Sequence, residues 1–343
     1  MPTKDELKMF QNYPLDMKIA KTKLRIREWV NYYGTDGVYV SFSGGKDSTV
    51  LLHIVRQMYP DIEAVFVNTG LEYPEIQSFV KSFDNVTILR PKMRFDEVIR
   101  KYGYPFISKE TANCVYGARK GSKSRINRLN GLNCDGTNVK TKFSQGKWKP
   151  LLNVDFSISE NCCNVTKKSP IHAYEKKTGK YGILATMTEE SQLRQTNWLK
   201  TGCNSFEGSH IYSAPMSFWR EQDVLQYIKE YNLPLASVYG EIVYGERDSV
   251  EKYDNLICDC GCKLCTTKCE RTGCIFCGFG AHLEKGESRF ERLKKTHPRQ
   301  YEYCMGGGAY DTDGLWKPTK EGLGMAHCID ELNKIYGKDF IRY

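Results

Sequence analysis

The sequence predicts an α/β protein: a doubly wound parallel sheet followed by a helical, cysteine-rich C-terminal region suited to metal binding. Three observations carry the prediction. Strand and helix periods alternate through the first third of the chain, as a parallel sheet covered on both faces requires. A glycine turn, Ser43-Gly44-Gly45-Lys46-Asp47-Ser48, joins the first strand to the helix behind it. Seven of the 14 cysteines crowd between Cys258 and Cys277.

Taken in order, 4–33 reads as helix and 38–42 (VYVSF) as a short buried strand. From Asp47 the apolar positions Val50, Leu51, Ile54, Val55 and Met58 keep helical spacing up to Pro60. Strand 62–67, helix 73–83, strand 86–89 and helix 95–102 follow. Between Gly117 and Trp148 the periodicity stops, and Gly, Asn, Ser and Lys dominate. A stretch that long reads as a functional or partly disordered loop. Pattern returns with a strand at 181–186, a helix at 218–231 and a tail helix at 320–336. Residues 245–280 have no usable period and need metal to hold a shape. These patterns divide the chain into an N-terminal helical segment (1–35), a nucleotide-binding α/β domain (36–240) carrying a basic insert (117–149), and a Cys-rich, helical C-terminal region (241–343).

Composition narrows the class. The 343 residues, 40% hydrophobic and 27% charged, describe an ordinary globular protein. No apolar run is long enough to span a bilayer, and the start, MPTKDELKMF, lacks a signal peptide's apolar segment. A cytoplasmic protein with no membrane partner is expected. The net charge of +9 is concentrated between Lys92 and Lys149, where 14 Lys/Arg face 4 Asp/Glu. Such a region invites a polyanion.

The glycine turn has the chemistry of a phosphate site. Two glycines let backbone N–H groups approach a phosphate, and the helix N-terminus behind them favours negative charge. Ser43 and Ser48 offer hydroxyls, Lys46 a point charge, and Asp47 a cap or a Mg²⁺ ligand. The spacing is not that of a Walker P-loop.

Here the sequence resembles the PP-loop ATP pyrophosphatases of the adenine nucleotide alpha hydrolase superfamily. Within it, Asn68-Thr69-Gly70-Leu71-Glu72-Tyr73-Pro74-Glu75, Glu189-Glu190-Ser191-Gln192-Leu193-Arg194 and the 215–224 segment (PMSFWREQDV) are similar to segments of the phosphoadenosine phosphosulfate (PAPS) reductase branch. The resemblance implies that Ser43 to Ser48, Asn68, Thr69, Gly70, Glu190, Ser191 and Arg194 bind ATP with Mg²⁺, or a related adenine nucleotide. Lys46, Asp47 and Arg194 would then act at the α-phosphorus. Arg194 suits an oxyanion through its planar fork.

Thiolate ligands come most readily as adjacent or CxxC pairs, because one turn aims both sulfurs at one centre. The chain offers Cys162-Cys163 and Cys274-Ile275-Phe276-Cys277. Similarity to adenylylsulfate (APS) reductases implies a [4Fe–4S] cluster on these four. Cys269 is an alternative ligand, and Cys258, Cys260, Cys262 and Cys265 could form a second site, with zinc the favoured ion. Cys114, Cys134, Cys203, Cys304 and Cys328 read as isolated buried thiols.

Residues 117–149 hold nine Lys/Arg against one acid, Asp135, with Tyr116, Phe143 and Trp148 among them. This pattern fits tRNA or DNA, or simply a solvated surface. The tail lacks the nucleophilic cysteine motif of the sulfonucleotide reductases, since Met325-Ala326-His327-Cys328 sits in a helical pattern. The leading expectation is therefore an enzyme that cleaves ATP to release pyrophosphate and supports sulfur transfer to a nucleic acid. Its sulfur would come from a donor such as a cysteine desulfurase. An APS or PAPS reductase and a non-catalytic nucleotide- or nucleic-acid-binding module are the alternatives.

Overall fold

The described strands, in chain order, are β1 (Val38–Ser41), β2 (Ala64–Val67), β3 (Val86–Leu89), β4 (Phe106–Ile107), β5 (Tyr181–Ile183), β6 (Asn204–Ser205), β7 (Tyr212–Ser213), β8 (Ile242–Tyr244), β9 (Leu264–Thr266), β10 (Gly278–Phe279), β11 (Ala309–Tyr310) and β12 (Trp316–Lys317). The computed structural model describes residues 2–133, 135–138, 144–208, 210–245 and 263–343. Cys134, Lys140, Lys142, Phe143, Cys258, Cys260 and Cys262 lie outside the described residues. No described helix is long and apolar enough to cross a membrane.

Two compact units share the chain. The first is Met1–Asn68, Glu72–Arg90 and Ile171–Thr272, and the second is Thr69–Leu71, Pro91–Pro170 and Gly273–Tyr343. This grouping differs from the sequence division at 35 and 240. The N-terminal helices pack into the first unit, and the chain leaves that unit at Arg90 to return at Ile171.

The first unit is built on a six-stranded sheet in the order β3-β2-β1-β5-β7-β6. All its pairings are parallel except that of β6 with β7. Val38, Tyr39 and Val40 on β1 are at most 1% exposed, so side chains on both faces are covered, as a parallel sheet demands. Helix Lys46–Met58 buries Val50, Leu51, Ile54 and Val55, the stripe read from the sequence. The long N-terminal helix expected over 4–33 is two helices, Lys4–Gln11 and Leu15–Tyr33, split at Pro14. Proline cannot continue a helix from within but fits its start. Trp219 and Asp223 of the 215–224 segment anchor the second of these helices. The indole donates to Thr22 Oγ1 at 2.8 Å, and the Asp223 carboxylate meets the buried Lys18 ammonium at 2.6 Å.

In the second unit β4 pairs in parallel with β10. Tyr104, Phe106, Phe156, Phe290, Met325 and Ile329 fill its core. The segment from 117, expected to be a functional or partly disordered loop, carries helical elements among its described residues. It continues helix Lys109–Arg119, forms helix Lys123–Leu129 and closes in a 3₁₀ turn, Gly146–Leu152. Arg119 explains part of this order. Its guanidinium donates to the carbonyls of Phe156, Val154, Leu151 and Leu152, at 2.6 to 3.3 Å, and so satisfies a bend with no ladder of its own.

Candidate nucleotide site

β1 ends at Ser41, and β2 and β5 lie on either side of it. In an open parallel sheet such a switch in strand order leaves a crevice beyond the carboxyl ends, where ligands bind. A cavity of about 280 Å³ occupies that place, lined by Ser43, Gly45, Lys46, Asp47 and Ser48 of the glycine turn, by 184–186 after β5, and by Glu190 and Arg194.

The turn is shaped by its own hydroxyls. The Ser43 and Ser48 Oγ atoms are 3.0 Å apart, the Ser43 N–H donates to Ser48 Oγ at 3.2 Å, and Ser48 Oγ donates to the Gly45 carbonyl at 2.9 Å. Gly44 has no alternative residue. Its φ is +71°, and a Cβ there would lie 2.7 Å from Val80 Cγ2 and 2.9 Å from Ile76 Cγ2. Gly44→Ala is expected to cost about 2–3 kcal/mol of stability from overpacking and left-handed strain. A shifted urea midpoint with an unchanged slope is the readout.

Lys46 is 3% exposed, with its Nζ 3.3 Å from both Asp47 Oδ1 and Glu221 Oε1. Burial opposes its charge, but the Asp47 and Glu221 carboxylates more than offset that, so its pKa lies above the usual lysine value. The Glu221 pKa is also raised, which for a carboxyl disfavours the charge: burial lifts it against the pull of Lys46. Asp47 Oδ1 is buried and accepts no hydrogen bond among the described residues. An ion-paired carboxylate oxygen without a hydrogen-bond donor beside a phosphate loop suits a divalent cation such as Mg²⁺. Glu190 forms ion pairs with both Arg194 and Arg271, which places two guanidiniums at the cavity.

Three of the lining side chains, Tyr239, Arg271 and Thr272, were not legible as site residues, nor was Glu221, which meets Lys46 without lining the cavity. The Tyr239 hydroxyl accepts from the Lys46 N–H at 3.1 Å and pairs with Thr272 Oγ1 at 2.8 Å, so two distant segments close over the loop. Arg271 arrives with Thr272, hidden in sequence by the cysteine crowd. Glu221 belonged to a quoted segment, but nothing in its spacing pointed at Lys46. Conversely, Gly44, Asn68, Thr69, Gly70 and Ser191 are not among the lining residues. Ser191 instead caps helix Gln192–Thr201, accepting from the Arg194 N–H at 3.3 Å. Thr69 Oγ1 accepts from the Leu71 N–H at 3.2 Å within the second unit.

The four cysteines assigned to a cluster all belong to the second unit. The Cys162 thiol hydrogen-bonds with Cys163 and lies within electrostatic reach of Cys277 and Cys274. Cys163, facing Cys162, Lys109 and Lys167, is pulled down to about 5, whereas that hydrogen bond and burial push Cys162 up. A π-helical turn, Asn164–Lys168, follows the pair, and the Cys277 carbonyl accepts from Arg289 at 2.9 Å. A [4Fe–4S] cluster takes four thiolates, and Cys162 interacts electrostatically with the other three thiols. No set of three or more His, Cys, Asp or Glu side chains among the described residues is arranged as a metal site. Metal binding by the C-terminal region therefore remains a proposal. Cys269 falls in the first unit, its thiol 2.9 Å from the Arg271 carbonyl, and Cys265 sits on β9 opposite Val243. Cys114, Cys203, Cys304 and Cys328 are buried, as isolated thiols should be.

Trp148 corrects the reading of the basic insert. It is 5% exposed, packed against Tyr336 and His282 at centroid distances of 5.1 and 5.6 Å, and so is a core residue with no face for a nucleobase. Trp148→Phe is expected to cost about 1–2 kcal/mol in thermal unfolding and to leave the salt dependence of any nucleic-acid binding unchanged. Arg128 is tied to Glu110 at 2.5 Å, while Lys120, Lys123, Lys147 and Lys149 are exposed.

A model of the phosphoadenosine phosphosulfate reductase domain matches residues 37–278. The chain belongs to that family. Among curated PAPS reductase-family relatives, the adenosine 5'-phosphosulfate reductase of Staphylococcus haemolyticus is 24% identical over 227 residues, 65% of this chain and 73% of that protein. An uncharacterized protein of Methanocaldococcus jannaschii is 38% identical over 73 residues, 20% of this chain, and the chain spans 18% of it. The crystal structure of a PAPS reductase from Candida auris in a phosphate complex aligns with 69% of this chain and 91% of its own at 11% identity, with a TM-score of 0.36.

Proposed function

We propose that this PAPS reductase-family protein is a PP-loop enzyme that binds ATP with Mg²⁺ and transfers its adenylyl group to an oxygen of a nucleic acid, releasing pyrophosphate, so that an incoming sulfide-level sulfur can displace AMP from the activated carbon or phosphorus. The observation that carries the reading is the buried Lys46, set among the glycine-turn N–H groups beside a cavity that Arg194 and Arg271 also line. Backbone donors and Lys46 would hold the leaving pyrophosphate, Asp47 the metal ion, and the guanidiniums the charge that develops in the transition state. Glu190, which neutralises both arginines, would yield to the incoming phosphates. AMP and pyrophosphate are the expected products.

Cys162, Cys163, Cys274 and Cys277 are proposed to hold a [4Fe–4S] cluster, which would supply redox or sulfur-handling chemistry when bound. The adjacent Lys109 and Lys167 offset thiolate charge, which favours Cys163 as a ligand. Zinc on Cys258, Cys260, Cys262 and Cys265 remains a separate proposal, with only Cys265 among the described residues. A cysteine desulfurase-type donor is the proposed sulfur source, and the exposed lysines of the insert are the proposed contact to tRNA or DNA. Neutralising Lys120, Lys123 and Lys149 together should lower the slope of log affinity against log salt by roughly 2–3, at 0.7–0.9 per phosphate contact. An unchanged slope in a tRNA or duplex titration removes the nucleic-acid acceptor.

The second reading, reduction of APS or PAPS, is favoured by the relative from Staphylococcus haemolyticus and opposed by Cys328. That thiol is fully buried in helix Met325–Tyr336, and burial raises its pKa well above the usual value, so it is a poor nucleophile. Thioredoxin-dependent sulfite release from APS decides between the two.

A further inference from the structure

The second unit holds a cavity of its own, of about 460 Å³, between β4, the start of helix Lys109–Arg119, the Gly146–Leu152 turn and the residues after β10. Its size is that of a site for a mononucleotide-sized ligand. The lining contains Lys109, Lys147 and His282 and no carboxylate. Phe279 adds planar apolar surface, with only an edge of the buried Trp148 beside it. Gln145, 8% exposed, has its amide oxygen held by the Thr111 hydroxyl at 2.9 Å, which leaves its NH₂ end to donate. His282 Nδ1 is buried and meets no hydrogen-bond partner among the described residues. Buried polar atoms are ordinarily paired, and an unpaired ring nitrogen on a cavity wall points to a ligand.

We propose that this cavity binds a small anion carrying a planar ring, of the nucleoside monophosphate class, with its phosphate on Lys109 and Lys147 and its ring beside Phe279. Two cations without a competing carboxylate select an anion, and the apolar wall selects against inorganic phosphate alone. Burial and the nearby Lys147 lower the His282 pKa, so the imidazole is neutral at pH 7 and its unpaired nitrogen can bond a heterocycle edge. Lys109 also hydrogen-bonds Cys163, so a bound phosphate would share one lysine with the cysteine group. The proposal goes beyond ATP cleavage and does not depend on it.

Uridine monophosphate is the probe, since it lacks the adenine expected at the first unit's loop. Calorimetric titration of the full chain should show binding that weakens at least about tenfold in Lys109→Gln and in Lys147→Gln, the scale of one lost charge-assisted contact. Binding should be unchanged in Lys46→Ala. Uridine and inorganic phosphate should each bind more weakly than the probe, and the His282 ring signals should shift in histidine-resolved NMR. Matching thermal midpoints verify that both glutamine variants fold. Absence of binding, equal affinity in the glutamine variants, loss in Lys46→Ala, or a stationary His282 signal would overturn the proposal.

Discussion

Lys46→Ala lowers ATP affinity and turnover by about a hundredfold or more, the scale of removing one preorganised donor from a charged transition state. The expectation follows from burial. Lys46 is 3% exposed and its Nζ faces Asp47 and Glu221 at 3.3 Å each. Its loss therefore leaves two carboxylates beside the phosphate loop with no cation between them, and a polyphosphate would meet net repulsion. The stability of the free protein should fall as well, because an ion-pair partner is removed from a buried site. Affinity must accordingly be measured by calorimetry on protein whose folding has been checked by circular dichroism. Lys46→Arg tests geometry separately: it restores the charge but not the compact ammonium that fits between the two carboxylates. Wild-type affinity in Lys46→Ala would contradict the site.

Cys274→Ser and Cys277→Ser are each expected to abolish iron retention in anaerobically purified protein, with Cys163→Ser expected to do the same. Serine is nearly isosteric but does not supply a thiolate, and a cluster that loses one of four ligands is rarely kept. The backbone turns tightly between these two cysteines. The Cys277 N–H donates to the Cys274 carbonyl at 3.1 Å, and Gly278 opens β10 directly afterwards. A β10 that depends on metal should lose thermal stability together with iron. Iron and sulfide analysis is the measurement. Full iron in the Cys274→Ser, Cys277→Ser double variant would refute these ligands, and zinc in place of iron would redirect the assignment. Cys269→Ser, in the first unit, is expected to keep wild-type iron.

The nucleotide loop was legible because strand, glycine turn and helix follow one another without interruption, so local rules alone place Lys46 at the head of a helix. Arg194 and Glu190 were legible through the family resemblance of their segment, which follows β5 and borders the same cavity. The remaining wall was not, since Tyr239 and Thr272 reach the loop from positions far along the chain and carry no local period. The same limit hid the second unit. Arg119 and Trp148 looked like members of a solvated basic loop, and only partners remote in sequence turn them inward. Arg119 satisfies carbonyls up to Phe156, and Trp148 packs on Tyr336. Asn68 to Gly70 illustrate the converse. A quoted motif shaped a turn and did not line the cavity, because its glycine serves a φ of +75° at Gly70.

The most direct test of the account is the fate of the phosphates. ATP is incubated with the iron-loaded protein, Mg²⁺, cellular tRNA or DNA and a sulfide source, and the products are resolved by ³¹P NMR. AMP and pyrophosphate in equal amounts, absent in Lys46→Ala, is the result this site predicts. ADP with inorganic phosphate, or ATP bound but unchanged, would contradict it.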